Sequence, residues 1–358
     1  MIKQLQITQP LLMSVLLLAV CQVWGQPAPP TPDAMTRPAI ISLKAENATL
    51  LAVVRAGDRL VAAGERGIIL TSDDNGKIWK QSSTPTSVNL TALRFVDAQR
   101  GWAVGHMGLI LHTEDGGLSW QKQLDGVEAA RLAVDAVRDS GDKRAIRQAD
   151  YLVSDGPDKP FFDIYMDPQG RGFVIGAFNL IFYTDDGGKH WQYWSPRMKN
   201  PFGLHLYGIT RLGDDYLIAG EQGLILRSQD NGEHFEALET PYEGSWFGIL
   251  ASREGTLLVY GLRGNAYVSL DGGETWEPSE TGSRAGFSDA FELDDGRIVL
   301  ANQAGQLFAS SDGGQHFQPL GSLPGMPFAA LTQAESGHLV VASLRGLGHV
   351  PLKTPGNE

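Results

Sequence analysis

Six aspartates stand in one repeated phrase, and carboxylates at a fixed spacing raise two chemistries: calcium ligation and acid–base catalysis. They are Asp74, Asp115, Asp186, Asp230, Asp271 and Asp312. Each has Ser or Thr two residues before it, Gly two residues after it and Trp or Phe five residues after it. A calcium loop needs oxygen ligands at alternate positions and a distant bidentate Glu, and strings such as Asp185-Asp186-Gly187-Gly188 lack both. The eight histidines lack the paired spacing of a zinc site, and His190, His234 and His316 fall at one equivalent place in three copies of the phrase. The chain has no Gly-x-Ser-x-Gly elbow and no Gly-rich phosphate loop ending in Lys. Its single cysteine, Cys21, lies in an apolar N-terminal stretch whose removal would rule out thiol catalysis. No metal, cofactor or catalytic residue is assigned, and the six aspartates are read as structural.

The elements around the phrase explain the repetition. Successive aspartates are 41, 71, 44, 41 and 41 residues apart, and each lies between two apolar, strand-like runs. A period near 41 in a strand-rich chain predicts an all-β propeller with one four-stranded blade per repeat. The phrase is the Asp-box, or bacterial neuraminidase repeat. Its carboxylate and hydroxyl bond the turn's own backbone, its Gly supplies a positive φ, and its aromatic wedges between neighbouring sheets. A seventh unit from Phe328 to Pro351 has no box, and Ala39–Lys44 is expected to supply its outer strand, closing seven blades.

The seven inner strands carry Ala or Gly at one crowded position, except for Asp163 and Asp289. These two either bond neighbouring backbone amides or place a ligand for a cation or polar group at the channel. Each second strand ends in a Gly-x-x-Gly-like turn, as in Gly64-Glu65-Arg66-Gly67. In an up-and-down sheet these turns share a face with the connections between blades, while the boxes lie on the opposite face. The extra residues of the 71-residue interval fall at 125–159, where Val127–Arg138 and a second stretch to Leu152 predict helices. The connections Tyr193–Phe202 and Pro241–Trp246 are rich in aromatic residues. The elaborated face is therefore the expected functional one.

Residues 1–25 read as a secretory signal peptide, with Lys3, an apolar Leu11–Cys21 stretch and a cleavage site near Gly25. Val20 before Cys21 fits a lipidation site poorly. Residues 26–38 read as a Pro-rich linker, 39–353 as the propeller and 354–358 as a tail. The protein is expected in the periplasm or outside the cell, or in a lumen if the host is photosynthetic. With 29 basic and 41 acidic residues the net charge is -12, which argues against nucleic acid and against wholesale adhesion to anionic lipid.

The wording Gly-Trp-Ala-Val-Gly-x-x-Gly-x-Ile-Leu-x-Thr-x-Asp-Gly-Gly-x-x-Trp across Gly101–Trp120, echoed from Phe162 to Trp191, resembles the photosystem II stability/assembly factor family. That resemblance implies a non-enzymatic, exported seven-bladed propeller that holds newly made membrane-protein subunits. The partner-contact candidates are Arg66, Arg263 and Arg345 in the rim turns, with Trp194, Arg197, Lys199 and Trp246 in the connections. Exposed aromatic and Arg clusters have the composition of interface hot spots. The alternatives are a sialidase-like glycoside hydrolase, whose repeat is similar, and a carbohydrate-binding propeller stacking sugars on those tryptophans. A sialidase clamps a carboxylate with three arginines. Arg66, Arg263 and Arg345 belong to blades one, five and seven, and the early Arg-Ile-Pro signature is absent.

Overall fold

A computed structural model describes residues 33–352, apart from Ser336. The signal peptide, Cys21 and the tail of the sequence reading lie outside the described residues. Seven antiparallel sheets follow one another along the chain, each with its strands in sequence order from the inside outwards. Blades one to six have four strands and blade seven has three. Seven apolar clusters fill the seven seams between neighbouring blades, so the core is radial. The second strand of each blade is the most buried, as in Phe173, Val174 and Ile175, because it is covered on both faces.

The Asp-box turns are built as the residue types require. In blade one the Ser72 hydroxyl donates to Asp74 Oδ1 at 2.8 Å and accepts from the Gly76 amide at 2.9 Å. Asp74 Oδ1 then accepts from the amides of Lys77 and Ile78. Gly76 has φ 84°, which favours glycine. Each box is also tied to the blade before it. Ser82 Oγ donates to the Gly117 carbonyl at 2.6 Å, Gln123 Nε2 to Gly187 at 3.0 Å, and Trp194 Nε1 to Gly232 at 2.7 Å. The boxes therefore staple both the hairpin and the seam.

The insertion is a helical hairpin, α1 (Gly126–Val137) and α2 (Lys143–Ser154). Asp125 and Asp142 cap them, each accepting two backbone amides. Ala129, Ala133, Ala145 and Ala149 are buried and let the hairpin settle against the seam of blades two and three.

Two expectations need correction. Ala39–Lys44 forms no strand on blade seven. Instead the Gln81 side chain of blade one bonds both the Ile40 carbonyl and the Ser42 amide, holding the run against blade one's outer edge. The seventh seam closes by side chains: Leu50, Leu60, Ala62 and Leu70 pack on Val340 and Ala342, and His349 Nε2 lies 3.0 Å from the Gly76 carbonyl. The second half of the expected linker is not free either. Ala34 O accepts from the Ser87 amide at 2.9 Å and Thr86 Oγ1 at 2.8 Å, and Ala34 and Met35 pack on the seam of blades one and two.

Candidate functional site: the mouth of the channel

Every inner strand carries a register shift near its start, between Leu50 and Ala52, Leu90 and Ala92, and likewise in the other five blades. A bulge leaves one residue unpaired and re-aims its side chain. The seven residues so displaced are Leu51, Thr91, Phe162, Tyr207, Phe247, Ser288 and Ala329. All seven line the central channel, and six of them, with Leu344 and Pro327, surround a cavity of about 720 Å³ at its mouth. In sequence each of these positions immediately precedes the Ala, Gly or Asp at the crowded position of its inner strand. The repetition of a bulge was the missed signal.

The mouth is asymmetric. Phe162 and Tyr207 are 5.2 Å apart between ring centroids, and Tyr207 and Phe247 5.9 Å. His205 joins Phe162 to the exposed Phe178, whose ring lies 4.6 Å away. An aromatic arc thus spans blades three to five. The rest of the ring is aliphatic or hydroxylic, and Thr91 and Ser288 donate to the Phe161 and Phe328 carbonyls of the next blades.

Arg66 and Arg263 sit on this face in turns between second and third strands, both with positive φ (54° and 60°). The left-handed conformation at that turn position recurs at Met107, Phe178 and Gln222, so it belongs to the repeat. Arg345 occupies the equivalent turn of blade seven. All three arginines are exposed, and among the described residues none forms an ion pair within 4.0 Å. Arg284, which the sequence reading missed, joins them. It is exposed in the connection from blade five to six, where Thr281 Oγ1 and Ser283 meet the Arg263 turn at Gly264.

The other four candidates are elsewhere. Trp246 is fully buried and Trp194 is 6% exposed, so neither offers a surface to a protein or a sugar. Trp194 instead supplies the N–H that Phe235 lacks: in the boxes of blades one, two and five, Trp79, Trp120 and Trp276 donate to their own Gly carbonyl. Arg197 stacks on Trp194 at 3.7 Å and pairs with Glu233, while Lys199 Nζ is 3.8 Å from Glu236. Met198 bridges to Phe235, which places this cationic stretch along the outer flank beside blade four's box and away from the rim arginines.

Deeper in the channel, Asp163 accepts from the Ile164 and Ile209 amides at 2.8 and 2.9 Å. Asp289 accepts from Ala290 and Leu331 at 2.9 and 2.8 Å. Each carboxylate ties its blade to the next inner strand, which the backbone-bonding reading expected. Burial pushes their carboxyl groups up, to about 6 for Asp163 and about 7 for Asp289, against the pull of those amides. The box aspartates move the other way. For Asp312, partial burial is outweighed by bonds from the His316 amide, the Ser310 hydroxyl and the His316 ring, which hold it at about 2.

Comparison with known proteins adds the following. The family model described as "Photosynthesis system II assembly factor YCF48" matches residues 77–147 and 149–320. The "Photosystem II assembly lipoprotein Ycf48" of Synechococcus sp. (strain CC9902) is 33% identical over 76 residues, 21% of this chain and 23% of that protein. The chain thus aligns with less than a quarter of the length of that curated relative. Two of the solved structures that share the fold illustrate its range. One, "YCF48 bound to D1 peptide", has TM-score 0.63 and 19% identity, covering 86% of this chain and 95% of its own. The other, a glycoside hydrolase of Niastella koreensis, has TM-score 0.60 and 14% identity, covering 85% and 52%.

Proposed function

The chain belongs to the photosynthesis system II assembly factor YCF48 family, and on that premise we propose that it is an exported, non-enzymatic holding protein for a membrane-protein subunit. The observation that carries the reading is the mouth itself: six bulged residues around a largely apolar cavity with an aromatic arc on one side, on the face that also exposes Arg66, Arg263, Arg284 and Arg345. On a protein of net charge -12, unpaired arginines on the same face as an aromatic arc suit a partner segment with apolar side chains and carboxylates. The peptide-bound relative supports a polypeptide as the occupant. Export rests on the N-terminal signal-like stretch and on the lipoprotein name of the Synechococcus relative.

The non-enzymatic part is supported by the channel carboxylates. Asp163 and Asp289 direct both oxygens at backbone amides, which leaves neither poised to act as a glycosidase acid or nucleophile. A photo-crosslinking residue at Phe247, in cells, tests the reading. The expected product contains an integral membrane protein, is lost with Arg66→Glu/Arg345→Glu and persists with Arg197→Glu/Lys199→Glu. Crosslinks that ignore the rim arginines, or none to a membrane protein, would overturn it.

A further inference from the structure

Blade seven leaves a strand position open. In the other six blades a fourth strand of two to five residues covers the third. Here Gly346–Pro351 is the edge, paired only to His338–Ser343. Leu352 donates to Gly337 on the same ladder at 2.8 Å, so the inward bonds fall at Gly346, Gly348, Val350 and Leu352. The N–H and C=O of Leu347 and His349 then point outward, where no described residue bonds them. Such an edge is a template for another strand.

The surroundings say what kind of strand. The short helix Ala45–Asn47 abuts Gly346, and the run leading into it exposes Ile40, Ile41 and Leu43 (77%, 64% and 103%). Blade one's box adds a further apolar side chain. The residue before the box aromatic is Ser119, His190, His234, Thr275 or His316 in the other boxes, each bonding Oδ2 of its aspartate. In blade one it is Ile78, 63% exposed. Lys44, Lys77 and Lys80 are exposed here without an ion pair among the described residues, whereas the exposed acids Asp73 and Glu335 are held by Arg59 and Arg55, and Glu46 is exposed beside them.

We infer that the open edge of blade seven, with the apolar and lysine-rich flank beside it, takes an extended polypeptide segment of alternating apolar and acidic residues as a fourth strand. Main-chain bonds to Leu347 and His349 would hold it, and side chains would set the preference, as in β-strand addition. This surface is separate from the channel mouth and does not rest on the reading given for it.

The probe is a capped heptapeptide alternating Val and Glu, read by amide hydrogen exchange at Leu347 and His349 in the full propeller. At a peptide concentration ten times Kd, exchange at both amides is expected to slow about tenfold. The same peptide N-methylated on its bonding amides, and a Val/Lys version, should each give little protection. His349→Pro removes an outward N–H and no inward bond, so it should abolish protection at Leu347. His349→Ala, which removes only the side-chain contact with Gly76, should preserve it. Equal protection by the N-methylated peptide, or protection surviving His349→Pro, would overturn strand addition. So would amides already protected in the free protein, which would mean that the chain covers its own edge. Protection by phosphatidylglycerol vesicles but not by the peptide would assign the flank to lipid and overturn the inference.

Discussion

Replacing Trp194 by Phe tests whether the seam staple, rather than surface contact, explains that residue. The indole N–H donates to the Gly232 carbonyl at 2.7 Å in a buried site, and Phe235 of the same box has no N–H to replace it. Loss of this bond leaves a buried carbonyl unpaired, which costs about 1–3 kcal/mol. Packing loss must be separated from this, and the fold supplies a control. Trp191 is similarly buried (5% exposed), but its Nε1 has no partner. Trp191→Phe removes a comparable amount of ring without removing a bond. Urea unfolding of the two variants should therefore differ by about 1–3 kcal/mol, with Trp194→Phe the less stable and the denaturant slope unchanged. Arg197, stacked on the indole at 3.7 Å, adds up to about 1 kcal/mol at a partly exposed site. Equal destabilisation within about 0.5 kcal/mol would refute the staple. Weaker crosslinking at Phe247 in a fully folded Trp194→Phe protein would restore the tryptophan to the contact surface.

Two pH predictions have opposite signs. Asp163 and Asp289 have carboxyls raised in the folded state to about 6 and about 7, so the folded protein holds protons that the unfolded chain releases. Their contribution is fully present below the ordinary value of 3.8 and is lost as pH rises through about 6 to 7. Thermal unfolding across that window should show stability falling with pH, and Asp289→Asn should flatten the decline. Asp230 and Asp312 are depressed to about 2, so their contribution is present above 3.8 and is lost as pH falls towards 2. Asp312→Asn should shrink the acid-unfolding limb; an unchanged limb would mean that the box carboxylates do not control it. Gly208→Ala should destabilise by about 1–3 kcal/mol, because its Cβ would lie 2.7 Å from the Gly248 Cα of the next inner strand. Calorimetry of that variant checks the crowding argument, since Ala is the native residue at the matching Ala52, Ala92 and Ala330.

Whatever is local and repeated in this protein can be read from the order of its residues. A hydroxyl, an aspartate and a glycine at fixed spacing close one turn wherever they occur, so six boxes fixed the blade, the period and the face on which each turn lies. The helical insertion was legible for the same reason, since Asp125 and Asp142 cap helices whose alanines fall on one stripe. Tertiary structure decided everything that depends on what lies across a seam. Tryptophans in connecting segments look alike in sequence, yet Trp194 and Trp246 are buried because neighbouring blades close over them. Ala39–Lys44 has the composition of a strand, but a side chain of blade one holds its backbone and leaves blade seven's edge open. The ring at the channel mouth comes from bulges that arise where seven inner strands converge, and no single strand encodes that convergence. Hydrogen bonds between near neighbours in sequence can be read from spacing; burial and exposure are properties of the closed ring.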